Sequence, residues 1–270
     1  MELQNNVFVV TGGGNGIGRE LTLNLLSKGA RVAIADIDQA GMDETAQLAG
    51  AAAEWLSKHK VDITDRAVVA ALPEEVISAH GQVDGLINNA GIIQPFEKIN
   101  QLEFDAIDRV MNINFNGTVN MTKAFLPHLL KRPHAQVVNI SSMGGFLPVP
   151  GQGLYGASQA AIKLFSEALY AELSKTDVHV STVFPGAIAT EIAARSGIDT
   201  AAMQSDDNGE SKFKPMPPSE AAQIIIDGLV KERFHIFVGS DSKYMNFLFR
   251  LAPKFATNYI TKQMGSLLKE

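Results

Sequence analysis

A glycine-rich turn near the start of the chain is suited to binding a phosphate group. Gly12, Gly16 and Gly18 lie between an apolar β-branched run and a stretch with leucines at helical spacing. Glycine lets the backbone turn tightly and approach a ligand, and the free N–H groups at the start of a helix attract an anion. The order strand, glycines, helix therefore predicts a site for the pyrophosphate of a dinucleotide.

An acidic residue, Asp36, ends the next predicted strand, "RVAIAD". A carboxylate there can accept hydrogen bonds from both hydroxyls of an adenosine ribose, and it repels a 2′-phosphate. Neither Asn15 nor Ile37 supplies the positive charge that NADP would favour. We therefore expect NAD as the cofactor and consider NADP disfavoured.

Further motifs follow the glycine-rich turn in order: "NNAG" at 88–91, "NINFNG" at 112–117, serines at 141 and 142, Tyr155, and "PGAIAT" at 185–190. Together they resemble the short-chain dehydrogenase/reductase family over about residues 5–240. The resemblance implies an α/β fold, a doubly wound parallel sheet of the Rossmann type in three α/β/α layers. It also implies about seven strands in the order 3-2-1-4-5-6-7.

The resemblance implies roles for the residues that match the catalytic motifs. Tyr155 becomes the general acid/base, Ser142 orients the substrate oxygen, and Asn114 holds a water in a proton relay. Ser141 is the alternative hydroxyl if the register slips by one residue. Ser142 is favoured because it stands at the family's usual interval before Tyr155.

The resemblance also implies which residues contact the dinucleotide. Asp62 and Ile63 match the adenine contacts, and the segment after residue 184 matches the loop beside the nicotinamide. The complete expected set is Gly12, Asn15, Gly16, Ile17, Gly18, Asp36, Asp62, Ile63, Asn89, Ala90, Gly91, Gln159, Pro185, Gly186, Ile188 and Thr190.

Position 159 departs from the family pattern, in which a Lys stands one helical turn after the Tyr. At a few ångströms and an effective dielectric near 20, that charge is worth on the order of 3 kcal/mol, or about two pKa units. Gln159 keeps hydrogen bonding but not charge, and Lys163 lies too far along the helix to replace it. We expect weakened acid/base chemistry. Three explanations stay open: a natural enzyme that tolerates Gln, an introduced substitution, or a chain that binds without catalysing.

The predicted function is hydride transfer between NAD(H) and a hydrophobic secondary alcohol or ketone. Large apolar residues expected to surround such a substrate are Ile192, Met203, Phe213, Met216, Phe247, Phe249 and Phe255. Two alternatives use the same fold: a non-catalytic dinucleotide sensor or scaffold, and an isomerase or dehydratase that retains its NAD.

The elements that must position these residues alternate between strands and helices. Six buried strands are predicted at "NVFVVTG", "RVAIADI", "VDGLINNAG", "AQVVNISS", "VHVSTVFPG" and "FHIFVG", as in a sheet covered on both faces. We expect one domain over residues 1–270, with a mobile substrate flap at 191–218 and an amphipathic tail at 241–270. Pro253 should break or kink that tail.

The composition limits the remaining possibilities. A length of 270 residues and 46% hydrophobic content suit one large domain, and the absence of cysteine excludes thiol chemistry. The six histidines show no metal-ligand spacing, so no metal is expected, and His128 and His179 are interpreted as ordinary helix and strand residues. A net charge of −6 disfavours nucleic acid as a partner.

The sequence also supports expectations about the location of the protein, its contact with membranes and its assembly. No long apolar run or leader-like N-terminus is present, so we expect a soluble, cytoplasmic protein. The aromatic and basic tail also permits a monotopic membrane contact, although packing on protein is favoured. Predicted helices around 103–131 and 156–174 are apolar on more than one side, which indicates a contact between subunits. The resemblance implies that this contact forms a homodimer or homotetramer.

Overall fold

A seven-stranded parallel sheet forms the centre of the computed structural model, which describes residues 1–198 and 215–264. The strands are Val7–Thr11 (β1), Arg31–Asp36 (β2), Leu56–Lys60 (β3), Gly85–Asn88 (β4), Ala135–Ile140 (β5), Val178–Pro185 (β6) and His235–Val238 (β7). Every neighbouring pair is parallel, and the order is β3-β2-β1-β4-β5-β6-β7. The expected fold class and strand order are confirmed.

Helices connect successive strands. They are Gly16–Ser27 (α1), Gln39–Ala49 (α2), Arg66–His80 (α3), Phe104–Val110 (α4), Thr118–Leu129 (α5), Gly153–Glu172 (α6), Ile192–Arg195 (α7), Pro218–Val230 (α8), Ser240–Leu251 (α9) and Pro253–Met264 (α10). A π-helical segment, Met111–Gly117, joins α4 to α5.

Two apolar layers cover the sheet, one on each face. On one face α1 and α8 contribute Leu21, Leu25 and Ile225, all fully buried. On the other face α3 and α5 contribute Leu72 and Phe125, which are also buried. Because both faces are covered, a ligand can reach the sheet only at the ends of its strands.

Strand β3 is the one strand that the hydrophobic pattern does not reveal. Its sequence, "LSKHK", contains a single large apolar residue, Leu56. It lies at the edge of the sheet and pairs only with β2 among the described strands. An edge strand keeps part of its side chains in solvent, so it lacks the apolar run that marks a central strand.

The C-terminal tail divides at the predicted position. Helix α9 ends at Leu251, and Pro253 begins α10, where a missing N–H costs no hydrogen bond. In residues 1–198 and 215–264, no helix combines the length and apolar character needed to cross a membrane. Of the predicted flap, Met203 and Phe213 lie outside the described residues.

Three residues meet at the amino ends of the last strands. His134, His179 and Glu232 place their ligand-type atoms within 4.8 Å of one another. The spacing of the histidines along the chain, from which no metal site was expected, therefore does not describe their arrangement in the fold. The three residues come from the starts of three different strands, and spacing along the chain does not reveal such a cluster.

Candidate active site

The glycine-rich turn has the backbone conformation that its sequence predicts. Gly12 and Gly16 have φ angles of +68° and +51°, in the left-handed region that favours glycine. Gly18 acts differently: a β-carbon there would overlap the carbonyl oxygen of Gly12, so its hydrogen permits α1 to pack against the turn. Gly12 and Gly16 line the adjoining cleft, whereas Gly18 lies behind it.

Asp36 ends β2 beside this turn, and its side chain is 8% exposed. One carboxylate oxygen accepts the N–H of Gly14 at 2.9 Å, and the other accepts the N–H of Asp38 at 3.0 Å. Each oxygen has a second lone pair that remains available to a ligand. The carboxylate is therefore held in place at the wall of the cleft.

Arg195 is a residue of this region that the sequence did not single out. It extends from α7, and its guanidinium lies 2.9 Å from the carboxylate of Asp38. The N–H of Gly41 and the Arg195 side chain together hold the pKa of Asp38 below its usual range. Asn15 and Ile37 supply no cation, as expected, but Arg195 brings one to the cleft from a distant part of the chain.

The cleft has a volume of about 960 Å³ and opens at the carboxyl ends of the central strands. All of the predicted cofactor residues except Gly18 line it. These are Gly12, Asn15, Gly16, Ile17, Asp36, Asp62, Ile63, Asn89, Ala90, Gly91, Gln159, Pro185, Gly186, Ile188 and Thr190. One continuous surface thus joins the glycine-rich turn to Ser142, Tyr155 and Gln159, whereas Asn114 does not line it.

Ser142 and Tyr155 lie together on this surface. Burial raises the pKa of the Tyr155 phenol, and a hydrogen bond with Ser142 partly opposes that rise. The Oγ of Ser142 also accepts the N–H of Gly144 at 3.0 Å. Ser141 instead donates to the backbone carbonyl of Gln159 at 2.9 Å and is buried, so the hydroxyl beside the phenol is that of Ser142.

Asn114 lies in the π-helical segment and is fully buried. Its Oδ1 accepts the N–H of Ile92, and its Nδ2 donates to the carbonyl of Ile92, both at 2.9 Å. Nδ2 also lies 3.0 Å from the Oγ of Ser158. The side chain therefore ties the loop after β4 to α6, one layer behind the cleft. Its predicted role in holding a water stays a prediction.

Gln159 projects into the cleft and is almost entirely buried. Its Oε1 has no hydrogen-bond partner among the described residues. Lys163, one turn further along α6, pairs with Glu167 at 2.9 Å, so it does not replace the missing charge, as predicted. A buried acceptor without a donor is costly, and a ligand hydroxyl in the cleft would satisfy it.

Gln94 holds the start of the helix that carries Tyr155, and the sequence did not single it out. Its side chain is fully buried, and its Oε1 accepts the N–H groups of Leu154 and Tyr155 at 2.8 and 2.9 Å. The Nε2 of Gln94 donates to the carbonyl of Gly151 at 2.9 Å. A glutamine in a loop has no distinctive sequence pattern, so its function as a helix cap appears only in the folded chain.

The apolar residues predicted to surround the substrate divide between several places. Ile192 lines the cleft, and Met216 packs on the core near it. Phe247 and Phe255 are 63% and 60% exposed and lie away from the cleft lining. Phe249 packs against a cluster that includes Phe146, just after Ser142. In the described part of the tail, residues 241–264, no side chain lines the cleft, so the expectation is wrong for Phe247, Phe249 and Phe255.

Comparison with known proteins identifies the family of this chain. The family model described as short chain dehydrogenase matches residues 6–200. The chain belongs to the short-chain dehydrogenase family. The SadH protein of Mycobacterium tuberculosis is 36% identical over 255 residues, which cover 92% of this chain and 91% of that protein.

Solved structures show the same short-chain dehydrogenase fold. A short chain dehydrogenase/reductase of Burkholderia phymatum, solved in complex with NAD, has a TM-score of 0.81 at 24% identity, covering 93% of this chain and 96% of that one. A short chain dehydrogenase of Burkholderia cenocepacia, solved with NADP, has a TM-score of 0.80 at 22% identity, covering 96% and 99%. Membership in this family makes the chain one of a class of oxidoreductases.

Proposed function

We propose that this chain transfers a hydride between NAD(H) and a hydrophobic secondary alcohol or its ketone. The observation that carries the proposal is the composition of a single cleft. Gly12, Gly16 and Asp36 line one part of it, and Ser142 and Tyr155 line another. A dinucleotide-binding surface and an acid/base pair therefore face the same space.

The residues of the cleft fit a nicotinamide dinucleotide. Gly12 and Gly16 bring backbone close to the space that the pyrophosphate would take, and Asp36 has free lone pairs for the adenosine ribose. The unpaired Oε1 of Gln159 would accept a hydroxyl of the nicotinamide ribose. When bound, the cofactor supplies or accepts the hydride.

NAD rather than NADP follows from the charges at the adenosine end. The carboxylate of Asp36 would face a 2′-phosphate and repel it. Arg195 is the cation at this end of the cleft, and it is paired with Asp38 at 2.9 Å. A phosphate would have to compete with that carboxylate for the guanidinium, so NAD remains the proposed cofactor.

Ser142 and Tyr155 would handle the proton. The Oγ of Ser142 accepts the N–H of Gly144, and its O–H, which now faces the Tyr155 phenol, would donate to a substrate oxygen bound between the two residues. In reduction the Tyr155 phenol gives its proton to the carbonyl oxygen while the carbonyl carbon gains the hydride. In oxidation the tyrosinate takes the hydroxyl proton and the same carbon loses a hydride.

The protonation state of Tyr155 sets how the rate of each direction depends on pH. Burial keeps the phenol protonated, and Gln159 contributes no charge that would favour the tyrosinate. A protonated phenol is ready to act as the acid in ketone reduction. Alcohol oxidation requires tyrosinate, so its rate should rise with pH into the alkaline range.

An apolar substrate is proposed from the isoleucine side chains that line the cleft. Ile92, Ile188 and Ile192 line the same cleft as Tyr155. Such a surface binds alkyl or aromatic groups through burial and offers few partners to a polar substrate.

The test measures NADH binding by fluorescence and NADH turnover with a panel of hydrophobic secondary alcohols and their ketones. Tyr155→Phe should lower kcat by about 100-fold or more while leaving the Kd for NADH unchanged. Tyr170→Phe is the matched control, because Tyr170 lies on the same helix with half of its side chain in solvent. NADH binding without turnover of any panel member would instead support a non-catalytic binding role.

A further inference from the structure

A second cluster of side chains that can bind a metal lies at the amino ends of the strands, whereas the cleft lies at their carboxyl ends. His134 precedes β5, His179 is the second residue of β6, and Glu232 precedes β7. These strands are neighbours in the sheet, so their amino ends bring the three side chains together. We infer that His134, His179 and Glu232 bind one divalent transition-metal ion of the zinc type.

The distances suit a zinc ion with little movement. Nε2 of His134 lies 2.9 Å from one carboxylate oxygen of Glu232, and Nδ1 of His179 lies 3.5 Å from the other. Zinc bonds nitrogen and oxygen at about 2.0–2.1 Å, and a tetrahedral arrangement then separates neighbouring ligand atoms by roughly 3.3 Å. The observed separations of 2.9 and 3.5 Å lie on either side of that value.

The cluster contains an atom that needs a partner. Nε2 of His134 is buried and makes no aligned hydrogen bond with the described residues, even though it lies 2.9 Å from Glu232. A neutral ring nitrogen with its lone pair toward a carboxylate is repelled unless a proton or a cation lies between them. A metal ion would satisfy both atoms at once.

The backbone and the neighbouring rings hold these ligands in place. Glu232 has a φ angle of +52°, a left-handed conformation that a glutamate rarely adopts. The rings of His134 and His179 lie 4.9 Å apart at an interplanar angle of 32°. Two of the three ligands thus pack on each other, and the third is fixed by an unusual turn.

The carboxylate of Glu232 already contacts a positively charged group. The amino group of Met1 lies 3.0 Å from Oε1 of Glu232 and donates to the carbonyl of Val230 at 2.8 Å. A bound metal would share or displace this contact at Oε1, while Oε2 faces His179.

The donor set selects the class of metal. Two imidazole nitrogens and one carboxylate suit zinc, cobalt, nickel or copper, whereas calcium and magnesium prefer oxygen ligands alone. Three protein ligands leave a fourth position for water. The site lies away from the cleft, so the metal would join the starts of β5, β6 and β7 and stabilise the folded chain.

The experiment titrates the EDTA-treated full chain with ZnCl₂ by calorimetry and counts the bound metal after dialysis. We expect one high-affinity ion per chain and a higher Tm with zinc. His134→Ala, His179→Ala and Glu232→Gln should each weaken binding by more than the roughly 10- to 100-fold that loss of an outer-shell partner causes. MgCl₂ should have no effect.

One control separates this site from general histidine binding. His128→Ala removes a histidine on α5 that is outside the cluster, and it should bind zinc as the parent does. Equal zinc binding by the cluster variants and the parent, or no specific binding to the parent, overturns the inference.

Discussion

At the residue scale, we expect Gln159 to determine how readily Tyr155 exchanges its proton. Its side chain is neutral and buried in the cleft that also contains Tyr155. Gln159→Lys would place an ammonium one turn from the phenol and lower the Tyr155 pKa, which burial now raises. The rising limb of alcohol oxidation against pH should move about one to two pH units toward acid. The measurement is kcat for NADH formation across pH.

A second substitution at the same position separates charge from hydrogen bonding. Gln159→Met keeps the length of the side chain but removes the unpaired Oε1. We expect the Kd for NADH to rise about tenfold, the loss of one buried hydrogen bond, with the pH profile unmoved. A pH profile that stays unchanged in Gln159→Lys would show that this position does not govern the phenol.

Asp36 is the residue that should set the choice between NAD and NADP. Asp36→Asn removes the charge but keeps an oxygen for the N–H of Gly14. The ratio of kcat/KM for NADPH over NADH should rise roughly 10- to 100-fold, because a like-charge contact costs several kcal/mol. Asp43→Asn removes an exposed charge on α2 and serves as the control. An unchanged ratio in Asp36→Asn would assign the choice to other residues, with Arg195 the first to examine.

At the scale of the element, the position of α6 depends on its cap. Gln94 accepts the N–H groups of Leu154 and Tyr155, two of the free donors that every helix start exposes. Gln94→Met should leave them buried and unpaired, at a cost of about 1–2 kcal/mol in the free energy of unfolding. Because Tyr155 lies in that first turn, kcat should fall more than the affinity for NADH.

The control for Gln94 is a neighbour in the same network. Gln152 is buried and donates to the backbone carbonyl of Gln94 at 2.8 Å, but it does not contact the start of α6 through its side chain. Gln152→Met should affect unfolding without the selective loss of kcat. Equal effects of the two substitutions on kcat would mean that Gln94 stabilises the fold and does not position Tyr155.

The elements also show how far the sequence alone reaches. Gly12, Gly16 and Asp36 were predictable because local backbone geometry requires glycine and because the carboxyl end of a strand in such a sheet faces the cleft. Strand β3 was not found from its own pattern, since an edge strand has little apolar sequence. Gln94 and Arg195 were missed because their functions depend on partners far along the chain.

At the scale of the whole molecule, the parallel sheet separates two kinds of chemistry. The carboxyl ends of the strands carry the cleft, and the amino ends of β5, β6 and β7 bring His134, His179 and Glu232 together. At either end of the strands, residues from several strands lie close together, so a site can form there although its residues are far apart in sequence. For this reason the family motifs predicted the site at the carboxyl ends of the strands, whereas the cluster at the amino ends was visible only in the folded structure.

The outer surface of the molecule predicts assembly. Phe104 on α4 and Leu164 on α6 are 80% and 68% exposed, and these two helices pack against each other. Large apolar side chains in contact with water are unfavourable and often mark a subunit interface. We propose that the chain forms a homodimer or homotetramer through this surface. Phe104→Glu and Leu164→Glu should each shift the species seen by light scattering toward the monomer.

Leu48→Glu provides the comparison, because Leu48 is 58% exposed on α2, outside the proposed surface. It should leave the molecular mass of the assembly unchanged. A charge placed in an apolar interface is desolvated without a partner, whereas the same charge on a free surface stays hydrated. Dissociation by Leu48→Glu, or a parent chain that is monomeric at micromolar concentration, would contradict assembly through α4 and α6. Retained NADH binding in the dissociated variants would show that each chain forms its own cleft.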